Sequence, residues 1–182
     1  IVFGAVLSIA EGFQKTMQGT GSPSKALIMR AGADTELSSI LMRDTVDIVK
    51  QAPGIAPGQT GPMASAELFV IVDLPKKSTG TPANVPIRGV QPEAVATRDA
   101  LRVVEGRMFE FGRNEVIVGR AAQGQFGGLD VGSQLPAGGN AWQIVGAFEA
   151  DGSVAESEVW VDASVLQSAY RRGNSYQSVI AR

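Results

Sequence analysis

The sequence contains neither cysteine nor histidine in its 182 residues. Without cysteine it has no disulfide bond and no thiol nucleophile, and without histidine it has no imidazole base or zinc ligand. These absences exclude Ser-His-Asp and Cys-His catalysis and the usual zinc sites. A chain without cysteine is compatible with either side of a bacterial membrane, so the compartment stays open.

Charge is also scarce, because only 19% of the residues are charged and 16 basic residues nearly balance 18 acidic ones. Nucleic acids and anionic membrane surfaces are bound through clustered positive charge, and the sequence contains no long basic run. We therefore expect no nucleic-acid partner. The 44% apolar content is that of a globular chain of one domain or two small ones, and 22 glycines and 9 prolines predict many turns and short strands.

One stretch, from Glu115 to Gly146, organises the rest of the chain. The β-branched run 116–118 predicts a buried strand, and 120–126 offers about two helical turns. Ala122 and Phe126 lie four residues apart, which places them on one helix face. We expect Phe126 to be a core anchor.

The same stretch contains glycines at positions where a turn or a helix end is expected. Gly119 is interpreted as a sharp change of direction, and Gly127 and Gly128 as left-handed positions that end the helix. A pair of strands is predicted around Leu135 and 142–145. The stretch holds no nucleophile–base pair and no metal-binding pattern, so it indicates architecture rather than catalysis.

The preceding part predicts a buried strand at 26–30, a helix at 42–51 and a central strand at 66–73, which together form a βαβ-like or split unit. The helix buries one face, formed by Met42, Val46 and Val49. A hairpin tip at 75–82 leads to a return strand at 84–90.

This hairpin also contains a proline and a pair of lysines. Pro86 marks the return strand as an edge strand, because proline cannot donate a hydrogen bond to a neighbour. Lys76 and Lys77 suit a solvated turn better than a contact with a partner or lipid.

After a connection at 91–100, residues 101–161 predict a β-rich region, and Asp162 then caps a helix. Its buried stripe consists of Val165, Leu166, Ala169 and Tyr170. Gly173 ends the helix, and 175–182 is a closing strand.

Three groups of residues are candidate sites, and each favours a structural interpretation. Trp142 and Trp160 lie at strand positions typical of core aromatics, and Arg107 and Arg120 suit buried stems with exposed heads. One acidic group could serve acid–base chemistry or bind a hard cation, but a solvated loop is favoured. It comprises Glu149, Asp151, Glu156, Glu158 and Asp162.

A phosphate loop is not expected either. Gly19 and Gly21 precede Lys25, but Lys25 leads into a strand, whereas the phosphate-loop lysine opens a helix. The sequence therefore predicts no catalytic residue, no cofactor and no metal.

The order of these elements resembles the extracytoplasmic core domain of MacB-type ABC transporter permeases, the FtsX-like permease family. The resemblance rests on the strand, small-residue helix and Gly-Leu-x-Val-Gly of 115–146, on Val-Glu-Gly-Arg-Met-Phe at 104–109, and on Val-Trp-Val-Asp at 159–162. It spans roughly residues 1 to 182.

The resemblance implies an α+β fold with two subdomains and a stem. Residues 1–20 would be the end of a transmembrane helix and a stem. Residues 21–100 and 173–182 would form a porter-like βαβ subdomain. Residues 101–172 would be an inserted, mostly β subdomain. The family places a further helix and strand after such a closing strand, so we expect the porter-like subdomain to be truncated.

The apolar run 1–10 is shorter than the roughly 20 residues that a membrane span needs. The resemblance favours the outer end of a transmembrane helix that continues upstream. A signal-peptide core and an amphipathic helix docked on the core are the alternatives.

The resemblance further implies a non-catalytic domain of a bacterial inner-membrane permease, on the periplasmic side, that couples cytoplasmic ATP hydrolysis to movement or export of a substrate. Its partners would be an ATP-binding cassette ATPase subunit, a second permease copy, the membrane, and a periplasmic adaptor or lipoprotein. A soluble periplasmic binding or interaction module without transport is the alternative. A hydrolase is disfavoured because histidine is absent.

Overall fold

The computed structural model describes residues 24–59 and 61–182, so the stem predicted for residues 1–20 lies outside the described residues. The strands are β1 (Ala26–Ile28), β2 (Leu41–Met42), β3 (Ala64–Pro75), β4 (Pro82–Val90), β5 (Arg102–Gly106), β6 (Glu115–Gly119), β7 (Gln134–Ala137), β8 (Asn140–Glu149), β9 (Val159–Asp162), β10 (Ser175–Tyr176) and β11 (Ser178–Ala181). The helices are α1 (Arg43–Lys50), α2 (Glu93–Ala96), α3 (Arg120–Gln125) and α4 (Ala163–Ala169), with 3-10 turns at Glu36–Ser38 and Val154–Ser157. Within these ranges no helix is long and apolar enough to cross a bilayer.

A mixed sheet runs through the described chain in the order β1, β11, β3, β4, β9, β6, β8, β5, with β7 paired to part of β8. Most neighbours are antiparallel, but β9 is parallel to β4 and β6 is parallel to β8. This confirms the predicted α+β class.

The unit at the β1 end of the sheet is the split form of the predicted βαβ arrangement. Strand β11 lies between β1 and β3 and is antiparallel to both. Helix α1 covers these strands, and Val46 is buried among alanines and Val179. The small side chains allow the helix to approach the strands closely.

The other end of the sheet is covered on both faces, and its strands alternate between two apolar clusters. On β9, Val159 and Val161 face one cluster, whereas Trp160 faces the other. This is the two-residue period of a strand with both faces buried. The first cluster also contains Phe126 and Trp142, which confirms that Phe126 and both tryptophans are core residues.

Helix α4 confirms its predicted cap and stripe. The carboxylate of Asp162 accepts a hydrogen bond from the amide of Ser164, and the predicted stripe packs on the cluster that contains Phe126. The closing strand is divided, however, because Gln177 separates β10 from β11. The amide of Gln177 donates to the carbonyl of Glu67, 2.8 Å away, and thus keeps the interruption attached to β3.

Strand β3 is longer than predicted and belongs to both ends of the sheet. Residues 64–67 pair with β11, whereas residues 68–75 pair with β4. The boundaries of the two proposed subdomains remain a prediction. The side chains of the β3–β4 hairpin contribute to the cluster around Phe126.

Three sequence-based assignments in this region are wrong. Strand β1 is an edge strand with Leu27 exposed, because only β11 pairs with it. Met42 precedes α1 and is exposed rather than part of the buried helix face. Strand β4 is not an edge strand, because residues 87–90 pair with β9 on the side away from β3. Pro86 is tolerated because it lies just before that pairing begins.

Gly119 is required for a different reason from the predicted turn. Its φ of −68° is open to any residue, but an added Cβ would lie 2.1 Å from the carbonyl oxygen of Glu156. The end of β6 therefore needs glycine because another backbone approaches it closely. Of the predicted left-handed pair, only Gly128 has a positive φ, at 78°.

Replacing Gly119 with alanine should lower the free energy of unfolding by about 1–3 kcal/mol, because the added methyl group overlaps backbone that has to shift. Gly124→Ala is the matched control. Apart from its chain neighbours and the backbone of its own helix, no atom of the described residues lies within 4 Å of its added Cβ, so it should be neutral or stabilise α3 by up to about 1 kcal/mol. Urea unfolding of both variants measures the difference, and equal stabilities would contradict this account of Gly119.

Candidate functional site

The most densely connected polar feature is a buried set of five charged side chains, here called the ionic cluster. It contains Glu36, Glu67, Arg88, Arg98 and Glu158. These residues come from the 3-10 turn before β2, from β3, from β4, from the segment after α2, and from the residue before β9. Five separate parts of the chain therefore meet at one point.

Arg88 is the centre of the cluster and is only 6% exposed. Its Nε and Nη2 atoms each donate to one carboxylate oxygen of Glu158 at 2.8 Å. Its Nη1 and Nη2 atoms donate to the two oxygens of Glu36 at 2.8 and 2.9 Å, and Nη1 also lies 2.9 Å from Oε2 of Glu67. All three guanidinium nitrogens are thus engaged, in the paired geometry that suits arginine and carboxylates.

A second guanidinium completes the cluster. Both terminal nitrogens of Arg98 donate to Glu67 at 2.8 Å, and its guanidinium carbon lies 4.6 Å from the centre of the Trp160 ring. The indole Nε1 of Trp160 donates to Glu158 at 2.9 Å. Trp160 therefore connects the cluster to the apolar core beneath it.

The cluster favours the charged forms of Glu36 and Arg88. Burial by itself raises the pKa of Glu36, but hydrogen bonds from Arg88 and Ser178, with the nearby positive charge, leave that pKa below its usual value. Burial opposes the charged form of Arg88, yet the hydrogen bonds that Arg88 donates to Glu36 and Glu158 raise its pKa well above the usual value. All three carboxylates accept hydrogen bonds from guanidinium groups, so the arrangement suits a structural contact between chain segments rather than proton transfer.

The predicted solvated acidic loop is therefore wrong for two of its five members. Glu158 is buried in the ionic cluster, and Asp162 is buried as the cap of α4, where it also accepts a hydrogen bond from the amide of Gly112. Glu156 binds the amides of Ala150 and Gly152 within its own turn, and Asp151 is exposed. Across residues 24–59 and 61–182 no group of three or more acidic side chains is arranged to hold a metal.

Arg107 and Arg120 have exposed guanidinium groups, as predicted, and both pair with carboxylates. Arg107 binds both oxygens of Glu115, at 2.8 and 2.6 Å, and Arg120 lies 2.7 Å from Glu105. The hydrogen bonds from Arg107 are the main cause that lowers the pKa of Glu115 to about 2. This pair fixes the loop between β5 and β6.

The lysines of the hairpin tip are exposed, as predicted, but the tip itself is anchored. The amide of Lys77 donates to the carbonyl of Gln125 at 2.8 Å, and the amide of Gly127 donates to the carbonyl of Pro75 at 2.9 Å. The end of the hairpin is thus bound to the end of α3.

The two ends of the described chain lie next to each other. Ala26 of β1 is paired with Ala181 of β11. The carboxylate of Asp99 lies 3.5 Å from Nζ of Lys25 and 2.5 Å from Nη1 of Arg182, so it bridges the residues that flank the two strands. The hydrogen bond from Arg182 is the main cause that lowers the pKa of Asp99. Segments joined to these residues would leave the sheet at the same end.

Comparison with solved structures identifies the fold. The chain is similar to the extracellular domain of the ABC-type transporter YknZ from Gram-positive bacteria, with a TM-score of 0.57 and 16% identity over 86% of this chain and 81% of that one. It is also similar to the periplasmic region of MacB from Actinobacillus actinomycetemcomitans, with a TM-score of 0.63 and 10% identity over 92% of this chain and 78% of that one.

No family model matches the chain, and no curated protein matches its sequence. The identities to the two solved domains are low, so the similarity concerns the fold. The chain has the fold of the extracytoplasmic domains of MacB-type ABC transporter permeases, as the sequence resemblance predicted.

Proposed function

We propose that this chain is the extracytoplasmic domain of an ABC transporter permease, and that it transmits movement rather than catalysing a reaction. ATP hydrolysis on the cytoplasmic side would shift the membrane helices, and the domain would convert that shift into movement or export of a substrate outside the membrane. The shared fold supports this proposal.

The observation that carries the proposal is the pairing of β1 with β11. Because Ala26 lies opposite Ala181, polypeptide preceding β1 and polypeptide following β11 would leave the domain side by side. A domain inserted between two membrane helices needs this geometry. Asp99 adds ion pairs to the residues at both exits.

The packed interior would allow the domain to transmit force as one rigid body. The ionic cluster joins five chain segments, and β3 pairs with both β11 and β4. Packed interiors of this kind are stiff and transmit strain instead of absorbing it.

The proposal implies particular partners. The sequence has no phosphate-loop motif, so ATP would be bound by a separate ATP-binding cassette subunit or region. A second permease copy would complete the transporter in the bacterial inner membrane, with this domain on the periplasmic side. A periplasmic adaptor or lipoprotein would be an additional partner.

The test uses the permease that carries this domain, reconstituted with its ATPase subunit. The chain has no native cysteine, so any cysteine introduced into it is its only labelling site. Spin labels at Val154→Cys, an exposed position, report the distance between two copies. Labels at Leu37→Cys and Ser78→Cys report the distance within one copy, as the matched control.

Trapping ATP is expected to change the distance between copies by several ångströms and to leave the distance within one copy constant. An unchanged distance between copies in the nucleotide-free and ATP-trapped states would contradict a transmitting role. A complete gene product without membrane spans would instead favour a soluble periplasmic module.

A further inference from the structure

A polar cleft of about 370 Å³ lies beside the exposed face of α4, away from the ionic cluster. It is formed where the first turn of α1, the face of α4, the turn after α4 and β10 come together. The lining residues are polar or glycine: Arg43, Ser164, Gln167, Ser168, Arg171, Gly173, Asn174 and Tyr176. They include two guanidinium groups and no carboxylate.

The positive charge of the cleft is poorly balanced. Among the described lysines and arginines, the ones without a carboxylate within 4.0 Å are Arg30, Lys76, Arg171 and Arg172. Arg171 and Arg172 are consecutive in the chain, and Arg171 lines the cleft. Arg43, which also lines the cleft, has only Asp47, at the 4.0 Å limit, and both side chains of that pair are more than half exposed.

Helix stability accounts for only one of the two lining arginines. Arg171 follows the C-terminus of α4, where a positive charge is favourable. Arg43 is in the first turn of α1, where the helix macrodipole disfavours a positive charge. The i,i+4 pair with Asp47 offsets this effect only in part, so the Arg43 guanidinium remains able to bind an anion.

The cleft also offers uncharged hydrogen-bond donors. Tyr176 lines the cleft, but its hydroxyl oxygen accepts a hydrogen bond from Gln91 at 3.4 Å, and the Gln91 side chain also binds Lys50, at the opposite end of α1 from Arg43. The two serine hydroxyls donate to Asp162 and to the carbonyl of Ser164, so the protons of these hydroxyls are already engaged. The available donors are thus the guanidinium groups, together with the side-chain amide of Asn174.

A second cleft of about 430 Å³ adjoins the first along α4 and shares Ser164 and Ser168 with it. Its lining contains no charged residue: Gly112, Asn114, Asn140, Ser164, Val165, Ser168 and Ala169. The two clefts thus place a cationic compartment next to an uncharged polar one. This division suits a ligand with an anionic head and a polar, uncharged substituent.

We propose that the Arg43–Arg171 cleft binds the phosphate group of a phosphate ester, with the ester substituent in the neighbouring uncharged cleft. A phosphate has enough acceptor oxygens for two guanidinium groups and further neutral donors, and arginine binds phosphate in paired geometry. The phosphate ester comes either from a soluble molecule or from a lipid headgroup, and the experiment separates these sources.

The experiment titrates the isotope-labelled chain with inorganic phosphate and with glycerol 1-phosphate, and records amide NMR shifts at constant ionic strength set with chloride. We expect shifts confined to residues that line the two clefts, with tighter binding of the ester than of inorganic phosphate. Arg171→Gln and Arg43→Gln should each weaken binding about tenfold or more, as expected for one charged hydrogen-bonding partner. Arg171→Lys should restore only part of the affinity, because an ammonium group lacks the paired donors.

Arg30→Gln is the matched control, because it removes an equally unpaired arginine that does not line the cleft. It should leave binding unchanged, and thermal unfolding checks that every variant is folded. An equal loss in Arg30→Gln, or the absence of shifts with both soluble probes and of vesicle binding, would overturn the proposal.

Sedimentation with phosphatidylglycerol vesicles, against phosphatidylcholine vesicles, identifies the source. Binding to phosphatidylglycerol that is lost in Arg171→Gln assigns the phosphate to a lipid headgroup. Binding of glycerol 1-phosphate without vesicle binding assigns it to a soluble ester. The result of these binding experiments does not depend on the proposed transport function, because they require neither ATP nor the permease.

Discussion

Arg88→Ala is expected to lower the free energy of unfolding by about 3–5 kcal/mol, the usual cost of removing one partner from a buried ion pair. The loss comes chiefly from the carboxylates that stay behind. Glu67 and Glu158 are 1% and 6% exposed, and without Arg88 they lie buried with part of their compensating charge removed. For a domain stable by roughly 5–15 kcal/mol, this is a large share.

Arg102→Ala is the control for this prediction. It removes a comparable contact, 3.0 Å to Asp151, but both side chains of that pair are 65% exposed. Exposed pairs contribute about 0–1 kcal/mol, so the control should unfold almost as the parent chain does. Urea unfolding measures both variants. A loss below about 1 kcal/mol in Arg88→Ala would show that the ionic cluster does not hold the five segments together.

Phe126→Ala is expected to cost about 3–5 kcal/mol, in the range for deletion of a buried phenylalanine side chain. Phe126 is 7% exposed and belongs to the cluster that contains Ala122 and Val118. Its backbone also forms a bridge to Lys76, so the truncation removes packing at the point where the hairpin meets α3. Chemical unfolding measures the loss.

Hydrogen exchange on the same variant tests whether the two ends of the sheet unfold separately. The dividing line differs from the predicted one, because the β3–β4 hairpin, assigned by sequence to the porter-like subdomain, packs on the cluster around Phe126. Residues 101–161 and the β3–β4 hairpin should lose protection first, because their side chains form the cluster around Phe126. Strands β1 and β11, whose core is a separate cluster around Val46, should keep more protection. Uniform loss in both regions would contradict the division.

Phe111→Ala is the matched aromatic control for Phe126→Ala, because Phe111 is 39% exposed. It should cost clearly less and leave the pattern of exchange intact. Arg88→Ala should differ from both, since the ionic cluster joins the two regions and its loss should reduce protection in each.

The strands and the main helices could be predicted because local periodicity determines them. The run 116–118 is a strand since three consecutive β-branched residues suit one, and both of its faces are buried. The cap at Asp162 and the stripe of α4 follow from spacing alone. In contrast, the pairing of β4 with β9 joins residues more than 70 positions apart, and no local signal indicates it.

The ionic cluster was missed for the same reason, although the sequence carries a partial signal. Glu67 and Arg88 are single charges within otherwise apolar strands, and a charge in such a position is stable only with a partner. The sequence does not show which partner each one has, because the register of β3, β4 and β9 sets the contacts. The polar residues around Glu158 indicate a solvated loop, whereas Glu158 lies directly before a buried strand and is itself buried.

Strand β3 has a mechanical consequence of its own. Its 12 residues extend from Ala64, which is paired with Ala181 beside the two chain exits, to Pro75 at the anchored hairpin tip. At about 3.3 Å per residue that is a lever of roughly 36 Å. A rotation of about 10° at the exits would carry the far end through roughly 6 Å, over a strand of this length. A tilt too small to disturb the packing near the exits would thus become a displacement larger than a side-chain contact at the tip.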